Sequence, residues 1–420
     1  MESKTRQFRK QNCSSILKGK LLITSDEALA AVLSRRLPIK IEYVNLELSL
    51  GRILADDVFA DLDQPPFNRV AMDGVAINSS NLKTTALFKI LKTIAAGAES
   101  PALPSGPVCY EIMTGAVLPP GSDMVIRYED LEIKGDEARV TVNTENLPAN
   151  FHPQGNDYKA GNKVLTKGTR IRSTTTAILA SVGYSKVPVL SSPKLGIIST
   201  GDELVHVHEK PSPSEIRWSN GISLKHELES FGYRDVTIIK LPDSENEIRD
   251  KMKEVIAQAD VLLLTGGVSA GKFDFIPKLL KECGVKEVFH NVSQRPGKPL
   301  WFGETAEGKL VFGLPGNPVS CLVNLRKFVI PNLELSLGGK LPLVPEAILT
   351  EEVKFNKNLT YYCPVKIFQE GTQLFATPIK GNGSGDFFQL RDSDGFMELR
   401  PTDAPFTQGF KGKVYQWGKN

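Results

Sequence analysis

Residues 311–322, VFGLPGNPVSCL, constrain the possible fold more than any other stretch of this chain. A short apolar run meets four turn residues, PGNP, and an apolar-periodic segment follows. This order predicts a buried strand, a tight proline-stiffened turn and a helix, which together present backbone N–H groups to anions. Residues 197–204 (IISTGDEL) and 262–271 (LLLTGGVSAG) show a similar pattern. Three such loops predict a site for a phosphate-bearing or oxyanionic ligand.

Predicted strands and helices alternate from Pro193 onwards. Apolar runs predict strands over residues 194–199, 236–241, 261–264, 285–292 and 311–314, and helical spacing predicts helices near residues 222–231, 244–259, 276–283 and 319–326. This alternation is typical of a doubly wound α/β domain with a mostly parallel sheet. Ligands of such sheets bind at the carboxyl ends of the strands, and the three loops fall at those ends.

The rest of the chain carries different patterns. Thr24 and Glu27 have capping-box spacing and predict a helix start. Residues 48–150 hold short strands, turns and prolines, which predict a β-rich module, and residues 151–188 carry loop signals and then a helix-like segment. Residues 340–420 predict short strands that form either a small β-barrel or a sandwich. The 420-residue chain is therefore predicted to be multidomain, α/β plus β.

The composition argues against several functional classes. A net charge of +3 gives no global reason to expect nucleic-acid or membrane binding. The basic first 20 residues lack the apolar run of a signal peptide and predict a flexible tail. No segment approaches the roughly 20 apolar residues of a membrane span. The five cysteines are scattered without a C-x-x-C pair, which predicts reduced thiols and a cytoplasmic protein.

Acidic side chains recur at the predicted strand ends, where Asp202, Glu203, Asp243 and Asp274 lie. Carboxylate oxygens suit Mg²⁺, which bridges them to substrate phosphates, and Asp202 and Asp274 are the predicted metal ligands. Each acid alone is more often a helix cap or a solvated side chain, but four at one sheet edge favour a site. The H-x-H at 206–208 lacks a third ligand nearby and does not predict a metal centre.

Two further motifs concern anions. Arg295 and Lys298 lie three residues apart in RPGKP, where prolines would fix them for neutralising an oxyanion; the alternative is a charged surface turn. Residues 266–272 nearly spell a P-loop, but Phe273 stands where a Ser or Thr hydroxyl would hold Mg²⁺. A P-loop nucleotide hydrolase is therefore not predicted, although the glycines permit close approach of a phosphate.

Two segments of the β-rich module, PPFNRVAMDG at 65–74 and TGAVLP at 114–119, complete the pattern. Together with the loops they resemble the molybdopterin molybdenumtransferase family, which comprises the bacterial MoeA proteins and the gephyrin E domain. The resemblance runs in order from about residue 24 to 335. Its matching segments are residues 65–76, 114–130, 199–204, 219–220, 265–274, 296–300 and 314–319.

This resemblance implies a four-part subunit and a homodimer. After a flexible basic tail (1–23), an elongated domain I (24–47 and 151–188) would carry an inserted β-rich domain II (48–150), followed by an α/β molybdopterin-binding domain III (189–337) and a β-barrel domain IV (338–420). In the family, the domain II motif of one subunit contributes to its partner's site.

The implied reaction cleaves adenylylated molybdopterin with Mg²⁺ or a similar divalent ion and places molybdate-derived molybdenum on the dithiolene sulfurs. The residues assigned to catalysis are Asp73, Glu203, Asp243, Asp274 and Lys298. Those assigned to substrate binding are Thr114, Gly115, Thr200, Gly201, Gly266, Gly267, Ser269, Arg295, Pro315, Gly316, Asn317 and Pro318. The expected partners are adenylylated molybdopterin, molybdate, a second copy of the chain and other proteins of the pathway.

The chain also departs from the family pattern. Residues 68–70 read NRV where Asp-Asn-Ser is common, and Asn156-Asp157 stands where Glu-Asp is common. In domain IV, residues 358–362 read NLTYY where the family usually has an arginine-rich strand segment. Arg391 or Arg400 would have to take the place of those arginines. These departures leave two alternatives to the transferase: a catalytically weakened pterin-binding or scaffold homologue, and a nucleotide hydrolase of another class.

Overall fold

The computed structural model describes residues 22–267, 275–341, 343–355, 358–381, 386–402 and 405–418. These residues divide into two compact units. The smaller unit comprises Tyr43–Leu50 and Leu54–Pro188, and the larger unit comprises the remaining described residues. Among the described helices, none combines the length and apolar character that a bilayer crossing requires.

The described helices and strands follow one another along both units. The helices are α1 Ser25–Leu33, α2 Ser173–Ser181, α3 Asn220–Ser230, α4 Glu245–Gln258, α5 Ile276–Glu282, α6 Pro318–Asn324 and α7 Ile330–Ser336, with a π-helical turn Leu325–Val329 before α7 and a 3₁₀ helix Phe387–Asp392. The strands are β1 Ile23–Thr24, β2 Ile41–Asn45, β3 Val58–Phe59, β4 Arg69–Val70, β5 Gly74–Ile77, β6 Leu87–Ile94, β7 Val108–Ile112, β8 Met124–Arg127, β9 Leu131–Lys134, β10 Glu137–Val140, β11 Phe151–His152, β12 Lys163–Leu165, β13 Lys186–Leu190, β14 Leu195–Thr200, β15 Leu204–Val205, β16 Ile216–Arg217, β17 Val236–Leu241, β18 Val261–Thr265, β19 Lys286–His290, β20 Val292–Arg295, β21 Trp301–Glu304, β22 Leu310–Leu314, β23 Glu346–Leu349, β24 Thr360–Glu370, β25 Gln373–Pro378, β26 Gly395–Leu399 and β27 Lys411–Gln416.

The larger unit is built on a six-stranded sheet of order β17-β14-β18-β22-β21-β19. The first four strands are parallel, and β21 and β19 are antiparallel additions at one edge. Successive residues of β18 face opposite sides: Leu263 packs into the core that contains α3, and Leu262 and Leu264 pack into the core that contains α4 and α5. Helices thus cover both faces, which confirms the predicted doubly wound, mostly parallel sheet.

Local signals located the helices of this unit better than their caps. The Thr24–Glu27 capping box forms as predicted at the start of α1. Ser244 and Glu247 also have capping-box spacing in the sequence, which predicts a second box at the start of α4. Ser244 does lie at the N-cap of α4, but its side chain makes no capping hydrogen bond, so this box does not form. The strand predicted over residues 285–292 is also interrupted, because Asn291 adopts φ 71° and separates β19 from β20.

The C-terminal strands close into a small barrel. β24 pairs with both β25 and β26, and the ring continues through β23 and β27. Alternate residues of these strands, among them Val365, Met397 and Val414, fill its interior. This closure removes the free strand edges that a sandwich would leave. Of the two predicted arrangements, barrel and sandwich, the structure therefore has the barrel.

The smaller unit contains a six-stranded sheet of order β8-β5-β7-β6-β10-β9. Its interior strand β5, next to the edge strand β8, is buried on both faces, with Ala76 in one apolar cluster and Val75 and Ile77 in another. The first residue of this strand, Gly74, must be a glycine, because a Cβ there would lie 1.9 Å from the Ile126 carbonyl oxygen. The β-rich character of the module is confirmed, and the boundaries of the four domains remain predictions.

A buried ion pair connects the π-helical turn to the barrel. Lys327 Nζ lies 3.0 Å from Glu398 Oε2, and both side chains are 2% exposed. Lys327 also donates to the Tyr415 hydroxyl at 2.7 Å. Burial lowers the pKa of Lys327, and the neighbouring Glu398 opposes this effect. The pair therefore depends on both partners being present.

Lys327→Met is expected to lower the free energy of unfolding of the larger unit by about 3–5 kcal/mol, because it removes the nearest cation from the buried Glu398 carboxylate and leaves only Arg400, whose Nε lies 3.6 Å from the other oxygen. The double variant Lys327→Met/Glu398→Leu should recover much of this loss. Urea unfolding followed by tryptophan fluorescence measures it, since the three tryptophans all belong to this unit. As a control, Lys225→Met removes a partly exposed pair with Glu229 and should cost about 0–1 kcal/mol. Equal losses in the two single variants would contradict the prediction.

Candidate functional site

Three loops meet at the carboxyl edge of the parallel sheet. They follow β14, β18 and β22, which are neighbours in the sheet. Gly266 has φ 96°, and a Cβ on it would lie 2.6 Å from the Thr200 carbonyl oxygen. A Cβ on Gly316 would lie 4.0 Å from the Cα of Gly266. The glycines thus allow the three backbones to approach closely, and the structure brings together most of the predicted loop residues.

A cavity of about 600 Å³ opens beside these loops. Its lining includes Thr200, Gly266, Gly316 and Pro318 of the predicted set. Asn220, at the start of α3, also lines it and donates from Nδ2 to the Gly316 carbonyl at 2.7 Å. Gly201 and Gly267 lie in the same loops, with φ 156° and 61°. Asn317 accepts the Ser320 N–H and caps α6, and Pro315 accepts a hydrogen bond from Cys321 Sγ.

Three of the predicted acids, Asp202, Glu203 and Asp243, lie on the loops that follow β14 and β17. Glu203 lines the cavity, and its Oε2 atom lies 2.5 Å from the position of a Cβ on Gly201. The backbone N–H of Asp243 donates to Asp202 Oδ1 at 2.9 Å, which joins the loops after β14 and β17. Ser269 and Asp274 lie outside the described residues.

The side chains at the carboxyl edge of the sheet offer oxygen atoms, the type of ligand that a hard divalent cation prefers. Glu203 contributes a carboxylate, and Thr200 contributes a buried hydroxyl oxygen without a hydrogen-bond partner among the described residues. Oxygen-only donor sets suit Mg²⁺. The described residues hold no cluster of three His, Cys, Asp or Glu side chains arranged for a metal. His206 and His208 stack on each other with ring centroids 5.8 Å apart.

The RPGKP turn lies over a buried pair of amides. Gln294 Nε2 donates to Asn324 Oδ1 at 2.7 Å and to the Gly297 carbonyl at 3.1 Å. Gly297 has φ 88°, and a Cβ on it would lie 2.7 Å from Asn324 Nδ2. Arg295 and Lys298 are both exposed on this turn. Their backbone is thus held from below while their side chains reach solvent.

In the smaller unit, Asp73 and Thr114 form a clasp. The Thr114 N–H and hydroxyl donate to Asp73 Oδ1 at 2.6 and 2.8 Å. These two hydrogen bonds hold the pKa of the Asp73 carboxyl below its usual value of 3.8, and the bond from the backbone N–H has the larger effect. Gly115 follows with φ 88°. The exposed Asp73 is therefore a charged, oriented carboxylate at neutral pH.

Comparisons with known proteins cover almost the whole chain. Residues 23–183 match the MoeA N-terminal region (domain I and II), residues 196–335 a probable molybdopterin binding domain, and residues 346–417 the MoeA C-terminal region (domain IV). The molybdopterin molybdenumtransferase of Synechocystis is 36% identical over 378 residues, which cover 89% of this chain and 94% of the relative. That of Bacillus subtilis is 32% identical over 91% of each chain.

This chain belongs to the MoeA family. Two solved structures of the molybdopterin biosynthesis MoeA protein from Pyrococcus horikoshii have the same fold, with TM-scores of 0.80 and 0.77. They are 29% and 28% identical to this chain, cover 95% and 94% of it, and are themselves covered completely.

In the barrel of this MoeA-family chain, two tyrosines occupy the segment where the sequence departs from the family pattern, and the two arginines considered as replacements are exposed. Tyr361 and Tyr362, at the start of β24, line a cavity of about 80 Å³ together with Arg295, Pro296 and Gln389. Arg391 is 81% exposed and pairs with Asp392 at 2.7 Å. Arg400 pairs with Asp26 at 3.0 Å. Neither arginine is among the residues that line this cavity.

Sequence reasoning missed several lining residues of both cavities. Trp218 and Phe387 line the larger one, and the two tyrosines and Gln389 line the smaller one. Trp218 stands directly before the quoted Ser219-Asn220 segment, which was the available signal. Phe387 carried no such signal, because it reaches the cavity from the barrel region, far away in sequence.

Thr114→Val should raise the pKa of Asp73 part of the way towards 3.8, because it removes the hydroxyl donor and keeps the backbone N–H. A carbon-detected NMR titration of the carboxyl measures this change. Since the folded pKa lies below the unfolded one, the clasp stabilises the fold above the unfolded pKa and is lost as pH falls through the folded pKa. Asp63, held by the Ala160 N–H at 3.0 Å, is the control and should not shift. An unchanged Asp73 titration would show that the hydroxyl is not a donor to it.

Proposed function

We propose that this chain is a molybdopterin molybdenumtransferase, which cleaves adenylylated molybdopterin and transfers molybdate-derived molybdenum to the dithiolene. The observation that carries the proposal is the cavity at the ends of β14, β18 and β22, with its glycine-lined loops and the carboxylate of Glu203. The names of the curated relatives, matched over nearly their full length, support the same activity. The four free thiols of the described part, at Cys109, Cys283, Cys321 and Cys363, agree with a cytoplasmic enzyme.

The strand-end loops would bind the phosphate groups of the substrate. Gly266 and Gly316 let their two loop backbones approach closely, and both residues line the cavity, where backbone N–H groups would meet the phosphate oxygens. Asp202, with Asp274 from the segment after β18, would hold Mg²⁺ or a similar divalent ion. Such an ion supplies neutralising charge at the phosphate oxygens. Glu203 lines the cavity and would orient the group that attacks the phosphoryl bond.

The RPGKP turn would bind the oxyanion. Arg295 and Lys298 bring two positive charges to one rigid turn, and Arg295 also lines the small cavity beside Tyr361 and Tyr362. A cation preorganised in this way stabilises developing negative charge without reorganising the protein. In this chain the turn, rather than a barrel arginine, would therefore carry the charge for molybdate.

Lys298→Ala is expected to lower the rate of molybdenum cofactor formation by about 10²–10³-fold, because it removes a preorganised cation. Arg391→Ala should stay within about threefold of wild type, since Arg391 is exposed and paired with Asp392. The assay uses purified adenylylated molybdopterin, limiting molybdate and Mg²⁺, and records AMP release and cofactor formation separately.

The two readouts separate the alternatives. AMP release that persists in EDTA would remove the divalent ion from the proposal. Wild-type protein that binds the substrate but forms no cofactor would favour the catalytically weakened pterin-binding or scaffold homologue. If Arg391→Ala fails and Lys298→Ala does not, the oxyanion site belongs to the barrel.

The active assembly is proposed to be a homodimer in which Asp73 and Thr114 of one subunit complete the site of its partner. Exposed apolar side chains of the smaller unit support an interface: Tyr43, Leu48 and Leu50 are 68%, 71% and 69% exposed within eight residues of sequence. Apolar groups clustered in this way are typical of surfaces that a partner covers.

Leu48→Glu/Leu50→Glu is expected to convert the dimer into a monomer, because it places two charges in the proposed apolar interface. Light scattering at micromolar concentration measures the change. The control is Leu343→Glu in the larger unit, which is 94% exposed and should leave the dimer intact. A wild-type protein that is monomeric and fully active would contradict the dimer.

A further inference from the structure

The RPGKP turn is held from inside the protein by one side-chain amide. Gln294 is 2% exposed, and its Nε2 donates to the carbonyls of Pro296 and Gly297 at 3.3 and 3.1 Å. These two residues separate Arg295 from Lys298 in the chain. A single buried NH₂ group therefore fixes the backbone between the two cations of the turn.

Asn324 completes this arrangement from the end of α6. It is 0% exposed, and its Oδ1 accepts from Gln294 Nε2 at 2.7 Å. A Cβ on Gly297 would lie 2.7 Å from Asn324 Nδ2 and 3.0 Å from Gln294 Nε2, so the turn rests directly on the two amides. The position of the turn thus depends on a helix of the core.

The orientation of both amides follows from these contacts. A reversed Gln294 amide would place its oxygen against the carbonyls of Pro296 and Gly297, and Asn324 must then present its own oxygen to Gln294. Each amide keeps one buried atom without a hydrogen-bond partner in the described part of the chain. These atoms are Gln294 Oε1 and Asn324 Nδ2.

The two unpartnered atoms make this amide pair an unfavourable way to fill the core. A buried donor or acceptor without a partner destabilises the fold, and an apolar pair of the same shape would avoid that effect. Stability alone therefore does not explain the pair. The hydrogen bonds to the turn do explain it, because only a polar group can hold the two carbonyls.

Lys298 is held from its other side by the backbone. Its carbonyl accepts the N–H groups of Val292 and Leu300 at 2.8 and 2.9 Å. Without the amide pair, the carbonyls before Lys298 would have to turn towards water to find a partner, and the turn would move with them. The exposed side chains of Arg295 and Lys298 would then lose their fixed separation.

We propose that Gln294 and Asn324 are positioning residues for the RPGKP turn, whose paired amides set how tightly the turn binds molybdate. This inference rests on the proposed function, because it takes the turn as the oxyanion site. Both residues are buried and act through the backbone that carries the cations. Their loss should weaken molybdate binding and spare turnover at saturation, since Arg295 and Lys298 are still present.

The test is isothermal titration calorimetry of the full-length protein with sodium molybdate, together with the molybdate dependence of cofactor formation. Gln294→Met keeps the length of the side chain and removes the NH₂ group. It should raise the Kd for molybdate by about tenfold and the KM for molybdate by the same factor. The kcat at saturating molybdate should stay within about threefold of wild type.

Asn324→Leu is the second variant, because it removes the acceptor that orients Gln294, and it should also raise the Kd for molybdate by about tenfold. Asn332→Leu is its matched control. Asn332 is likewise 0% exposed, and its Nδ2 donates to the carbonyls of Val32 and Arg35 at 2.8 Å. The control should lower the urea midpoint of unfolding and leave the Kd for molybdate unchanged.

A raised Kd in Gln294→Met and in Asn324→Leu, with an unchanged control, supports the inference. If Gln294→Met does not fold, Asn324→Leu decides in the same way. An unchanged Kd in either folded variant, an equal rise in Asn332→Leu, or no binding of molybdate to the wild-type protein overturns it. The proposed function fails separately: a wild-type protein that forms no molybdenum cofactor but binds molybdate in a Gln294-dependent way leaves this inference intact.

Discussion

The in-register parallel pairing of β14, β18 and β22 is the constraint on which the candidate site depends. Ser199 lies opposite Thr265, and Thr265 lies opposite Leu314, so the three strands end at the same level. Backbone hydrogen bonds therefore place the starts of the three loops side by side. The absence of a Cβ at Gly266 then lets its loop reach the Thr200 carbonyl, and a larger residue there would separate the loops.

Burial on both faces is what holds that register. Each residue of β14, β18 and β22 is buried, with neighbours alternating between the two apolar clusters. A shift of one residue would exchange every side chain between the faces, and the two clusters differ in composition. The site's geometry is thus maintained by the core beneath it, and the polar loop residues are free to serve a ligand.

The elements with strong local signals could be predicted from the sequence, and those made by distant contacts could not. Apolar runs located β14, β18 and β22 within a residue or two, because fully buried strands have few polar residues to blur their ends. Ser244 had the spacing of a capping box, but spacing alone does not decide which hydrogen bonds form. Asn291 interrupted the strand predicted over residues 285–292 by adopting a left-handed conformation, which asparagine tolerates better than most residues.

The site residues follow the same division. The loops were visible because glycine, proline and acidic residues mark strand ends. The hydrogen bonds between Asp73 and Thr114 join residues 41 positions apart, and only the fold brings them into contact. Phe387 approaches the cavity from beyond β25, and the barrel alone determines that position. Arg391 had the right charge for an anion site, but its neighbour Asp392 neutralises it at the surface.

The distribution of charge around the cavity limits what chemistry is possible there. Glu203 and Glu215 line the cavity with Arg217, while Asp202 and Asp243 lie at the neighbouring loops. A phosphate placed against these carboxylates would be repelled, and the repulsion increases as the site closes and water is excluded. The exposed cations Arg295 and Lys298 lie on a different turn. Of the two, Arg295 lines the smaller cavity of about 80 Å³. A phosphate ester at the strand ends therefore needs an added positive charge. An oxyanion at the RPGKP turn needs none, because the turn already carries two cations. This difference in charge is the physical reason to separate phosphate cleavage from oxyanion binding within one unit.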